Sequence, residues 1–170
     1  MKKTIFLSIA LLSFFFISCG GGKSGDASTP SDKPLTPQAF NQTAMDVFKA
    51  AQKAMDNFDS QITAGVKTKD LKSITTAADK ATAEVDVQIE KLKAVNAPEG
   101  GQEYKDAVLK SLDGVKSIIE TGKKYGDLPE GYSRVEFNNL EKEYNNKRTE
   151  LSATLKKVGT AASAFTKNIK

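Results

Sequence analysis

The 170-residue chain has no histidine, no tryptophan and a single cysteine, and the first and last of these scarcities each exclude a class of chemistry. Without histidine there is no imidazole general base, no Ser/His or Cys/His nucleophile pair, and no Glu-x-x-His pair of the kind that holds iron in helix bundles. With Cys19 alone no internal disulfide can form, so packing must hold the fold together. Charge of one sign is also missing. The chain carries 25 basic and 21 acidic side chains, a net charge of +4. They are interleaved, as in Glu90-Lys91-Leu92-Lys93 and Glu141-Lys142-Glu143, which describes a solvated helical face and argues against a nucleic-acid partner. Gly20-Gly21-Gly22-Lys23-Ser24 lacks the glycine spacing of a phosphate loop and no strand precedes it. The carboxylates of Asp56 and Asp59, three apart, read as solvated surface. The expectation is therefore no catalytic residue, no metal ligand, no cofactor and no enzyme.

Long hydrophobic runs are scarce too. The longest, Ile5 to Ile17, is thirteen mostly apolar residues, reaching about 20 Å as a helix against a hydrocarbon core of about 30 Å. It follows Lys2 and Lys3 and precedes the small residue Ser18, the layout of a cleavable signal segment over residues 1–18. Phe16-Ile17-Ser18-Cys19 resembles the lipobox of bacterial lipoproteins, with Phe16 where that motif usually carries Leu. The resemblance implies that the Cys19 thiol receives a diacylglyceryl group and becomes the acylated N-terminus. Removal of Lys2 and Lys3 would then leave a charge of +2. Residues 20–35 are rich in Gly, Ser, Asp, Lys and Pro, so 19–35 reads as a lipidated flexible tether with a root-mean-square span of about 20 Å.

From Thr36 to Lys170 the apolar residues recur at helical steps of three and four. Thr36 is a natural N-cap and Pro37 suits the first turn. Phe40, Ala44, Phe48, Ala51, Met55, Phe58 and Ile62 form one stripe, ending near Gly65. Leu71, Ile74, Ala78, Ala81, Val85, Ile89, Leu92 and Val95 form a second, stopped by Pro98, Gly100 and Gly101. Tyr104, Val108, Leu112, Val115 and Ile119 form a third, running to Gly122. Ser133-Arg134-Val135-Glu136 is a capping box that opens a fourth, through Phe137, Leu140, Tyr144, Leu151, Leu155, Val158, Ala162, Phe165 and Ile169. Residues Glu84 to Glu90 alternate as a strand would, but no second strand-like segment exists to pair with them, so helix is expected and Val87 should be exposed. Short connections between long helices predict an all-α, antiparallel, up-down-up-down four-helix bundle, monomeric and confined to 36–170.

The fourth stripe is interrupted where an inward position falls on Lys147 or Arg148. The favoured reading is that their stems cover the core edge, with a buried ion pair or anion site as the alternative. A hairpin centred near Pro129 would set Arg148 by Lys110 and Ser111, and Tyr144 against Gly114. With the first helix rising from the tether, the Pro98 turn and the C-terminus lie at the tether end and the turn Tyr125 to Tyr132 at the far end. Tyr125, Leu128 and Tyr132 there form a candidate protein-contact site, weighed against simple sealing of the helix ends.

Signal, lipobox-like junction, polar tether and the Val95-Asn96-Ala97-Pro98-Glu99-Gly100 turn of a helical bundle together resemble the small helical surface lipoproteins of Gram-negative bacteria. The resemblance implies a cell-envelope address, with the outer membrane favoured and the leaflet left open, and it implies no activity. Three function classes follow: a non-catalytic interaction module with a protein partner, a small-ligand carrier with a cavity beside Ala78, Ala81, Gly114 and Ala162, and, weakest, an enzyme of unrecognised type.

Overall fold

A computed structural model describes residues 34–167 and Ile169. The expected signal segment, Cys19 and nearly all of the expected tether lie outside the described residues. Within them the chain forms four α-helices and no strand: α1 (Pro37–Thr68), α2 (Leu71–Lys93), α3 (Gln102–Lys123) and α4 (Arg134–Lys167).

Three of the four helices start where a side chain satisfies free amides; α3 starts after Gly101 without such a bond. Thr36, in an extended conformation, accepts from the Ala39 N–H at 3.3 Å, with Pro37 in the first turn. Contrary to the expected stop at Gly65, α1 runs a further turn and ends when Lys69 adopts a left-handed conformation at φ 61°. Asp70 then caps α2, accepting from the Ser73 N–H. At the end of α2 the Lys105 ammonium, reaching over from α3, donates to the carbonyls of Lys93 and Val95 at 3.0 and 2.6 Å. These carbonyls would otherwise lack helical partners. The capping box at α4 forms as read: Ser133 N–H donates to Glu136 at 2.7 Å, and Glu136 N–H donates to the Ser133 hydroxyl at 3.2 Å. Hydrogen bonds to its carboxylate from the Ser133 backbone N–H and then from the Ser133 side chain hold Glu136 below its ordinary range.

The bundle is antiparallel and up-down-up-down. At the end where the chain enters, Gly101 abuts Pro98 and the Phe40 ring, and Phe40, Tyr104 and Phe165 meet edge to face or tilted at 5.4–5.9 Å. At the far end Gly126 lies against Leu71 and Thr75. The core is one contiguous cluster, with Phe40, Val47, Phe58, Ile74, Val85, Leu92, Val108, Leu112, Ile118 and Ile119 almost wholly enclosed. Every residue of the predicted α3 stripe is buried, as are six of the eight on α2. Val87 is 62% exposed within a continuous helix, so the alternation of residues 84–90 is a helical coincidence.

Four details differ from the pattern. On α1 the buried line includes Val47 and Ala54, while Phe48 and Ile62 lie at its half-buried edge. On α4 Ala161 is buried and Ala162 only partly. Leu35, assigned to the tether, packs against the core. The α3–α4 register is also displaced: Leu151, rather than Tyr144, faces Gly114, so the two helices are offset along their length relative to a hairpin centred at Pro129.

Candidate functional site

Tyr125, Leu128 and Tyr132 lie together in the turn between α3 and α4, but not as an exposed tip. Tyr125 is only 4% exposed, its ring 5.4 Å from Phe137 and 6.1 Å from Tyr144. Burial, with a smaller push from the Glu141 charge, raises its phenol well above the ordinary range. A side chain held there cannot meet a partner, so the candidate contact site loses Tyr125. Leu128 is half-buried against the core and Tyr132 stacks on Phe137 at 5.9 Å and 22°. These two remain at the rim, with Pro129 and Glu130 exposed between them. The physical reason is hydrophobic: three aromatic rings at the open end of a bundle remove more apolar surface from water by stacking than by pointing outward.

The irregular place on α4 resolves into a polar cluster with α1. Asp59 accepts from the Tyr144 hydroxyl through one carboxylate oxygen and from the Arg148 guanidinium through the other. The guanidinium also lies 5.8 Å from the centre of the Tyr144 ring. Tyr144 is buried and Arg148 and Asp59 are roughly three-quarters enclosed. Burial raises the Tyr144 phenol, and the Asp59 charge raises it further. Burial alone would lower Arg148, but its hydrogen bond to Asp59 and that residue's charge hold it above its ordinary value. Sequence periodicity found Arg148 but neither its partner nor the role of Asp59, which read as solvated surface. Its only signal was its place four residues after Met55, on the edge of the α1 stripe. Lys147 points away and pairs with Glu150 at 3.0 Å. Arg148 does not join Lys110 or Ser111, and the cluster is a satisfied ion pair rather than an open anion site.

Ion pairs also cross two seams of α3: Lys116 to Asp86 and Lys123 to Asp79 join it to α2, each at 2.6 Å, and Lys124, just past its end, pairs with Glu143 of α4 at 2.5 Å. The outer α1–α2 seam carries a shallow groove of about 550 Å³, lined by residues including Asn57, Gln61, Thr76, Lys80 and Glu84 over a floor of Ala54, Ala77 and Ala81. Of the small residues expected beside a cavity, Ala81 lines this groove, whereas Gly114 is filled by Leu151. Among the described residues no three His, Cys, Asp or Glu side chains come together as a metal site, and no helix is long and apolar enough to cross a membrane. Cys19, the expected lipid-attachment residue, lies outside the described residues. No protein-family model, curated protein or solved structure matches the chain.

Proposed function

We propose that this chain is a lipid-anchored protein of the bacterial cell envelope, and that its four-helix bundle is a non-catalytic module for contact with another protein. The observation that carries the reading is the placement of Cys19, the chain's one cysteine, directly after Ile5–Ile17 and before a polar linker. The bundle supports it. The chain enters at one end, and α1, with 32 residues, sets the opposite end about 48 Å away. That far end carries Leu128 and Tyr132 at its rim, supported from beneath by Tyr125 and Phe137. Aromatic side chains on a rigid base suit an interface because little side-chain freedom is lost on binding.

Cys19→Ser tests the anchor. The substituted protein should move from the membrane to the soluble fraction or persist as an unprocessed precursor, while wild type partitions into detergent. A processed Cys19→Ser protein that still fractionates wholly with membranes contradicts the anchor. Leu128→Ser with Tyr132→Ser tests the contact: helicity should be kept and a cross-linked envelope partner lost. Unchanged recovery of that partner excludes the rim.

The α1–α2 groove favours a second reading, a carrier for a small polar ligand, since Asn57 and Gln61 line it together with Ala54, Ala77 and Ala81. Thermal shift against a panel of neutral metabolites distinguishes the two: a ligand-dependent rise removed by Asn57→Ala would favour the carrier.

A further inference from the structure

α4 joins the bundle unequally. Nine of the 22 residues of α3 are buried, but only five of the 34 in α4. α4 packs along α3, whereas α1 approaches α3 more closely than it approaches α4. Residues seven and fourteen after Arg148 share its side of the helix, which places Leu155 and Ala162 on the face turned to α1. Both are only half-buried. Gly159, on the same side, has open space where a side chain would point. Across the seam, Phe48 shares the side of Asp59, eleven residues or three turns away, and is also half-buried. Apolar contact along this seam is therefore thin, and two features fasten it: the Phe40–Phe165 ring pair at the entry end and the Asp59–Tyr144–Arg148 cluster toward the far end.

From this arrangement we propose that α4 is a movable fourth helix, closed against α1 by the Asp59–Tyr144–Arg148 cluster acting as a bolt. When the bolt opens, α4 swings on its contact with α3, and Phe48, Leu155 and the core-edge residue Met55 become exposed while the rest of the core of α1, α2 and α3 stays closed. The bolt suits this role because its energy is concentrated in one directional place. A half-buried carboxylate with two donors is strongly held when all three are present, and loses its advantage abruptly when one is removed. The thin apolar seam beyond it adds little further resistance to separation.

Hydrogen exchange of the full-length chain in mild detergent tests this. In wild type, backbone amides of Tyr144–Ala161 should exchange about tenfold faster than those of Val108–Ile119 in α3, reporting a sub-global opening. Asp59→Asn keeps the side-chain shape but removes the charge, and should speed the α4 amides by a further factor of about ten while α3 stays within about twofold. Tyr144→Phe keeps the ring in place, removes only one donor, and should give the same pattern with a smaller factor. If α4 and α3 exchange together in wild type, or if both substitutions accelerate them equally or leave α4 unchanged, the bolt is overturned. Should Asp59→Asn fail to fold, the wild-type ordering and Tyr144→Phe still decide.

Discussion

The residue with the largest difference between its expected and its observed role is Asp59. As one of two acids three apart on a lysine-rich helix it read as surface, yet it accepts from both Tyr144 and Arg148. Its neighbour Asp56 is left at a disadvantage: partial burial, then the Asp59 charge, hold its carboxyl above the ordinary range, and Arg148 offsets this only in part. A raised carboxyl favours the folded state only while protonated. That contribution is present below the unfolded-state pKa and is lost as pH rises through the folded value. Asp56→Asn should therefore stabilise the protein slightly near pH 7, by about 0.5 kcal/mol or less because the site is largely solvated. The gain should vanish near pH 3, where wild type is itself protonated. Urea denaturation midpoints at the two pH values check the sign, and an equal gain at both would contradict the assignment. Neither effect was legible in the sequence, because the partners of Asp59 lie 85 and 89 residues away and depend on the register of α4.

At the scale of the elements, the glycines separate close packing from open surface. A Cβ on Gly122 would stand 2.5 Å from a carbon of the Phe58 ring, which is fully buried and cannot retreat. Gly122→Ala should cost about 1–3 kcal/mol by overpacking the α1–α3 contact, despite the better helix propensity of alanine. Gly159 meets nothing, so Gly159→Ala should instead stabilise α4 by about 0.5–1 kcal/mol. Thermal unfolding of the two variants should move in opposite directions, and a shift of the same sign would contradict the packing described here. The elements themselves were largely legible. Apolar periodicity placed all four helices, Thr36 and the Ser133–Glu136 pair marked two starts, and the α3 stripe was buried at every position named. Periodicity along one helix does not report how two helices are offset along their length, so the α3–α4 register was missed and Tyr144 was paired with the wrong neighbour. The end expected near Gly65 came about a turn early: that glycine lets the Ile74 side chain approach α1 closely, and the helix ends at Thr68. For Tyr125 the sealing of the helix ends, weighed against a protein contact, is what forms, although the rings that enclose it, Phe137 and Tyr144, come from the next helix and could not be named in advance.

At the scale of the whole molecule, one continuous core spans all four helices without a disulfide. Residues Leu35 to Lys170 should therefore fold alone as a helical monomer, with circular dichroism unchanged by a strong chelator; loss of helicity on chelation would contradict this. Leu35 belongs in that fragment because it packs on the core, which brings the start of the folded unit one residue earlier than composition suggested. The proposed anchor and this autonomous bundle meet at a polar linker, so membrane attachment should be removable without disturbing the fold. The intact mass of the protein isolated from a bacterial envelope tests the central proposal most directly. The account predicts a chain that lacks Met1 to Ser18, begins at Cys19 and carries the added mass of a diacylglyceryl group. A chain that retains Met1, or one that begins near Cys19 with its thiol unmodified, would contradict it.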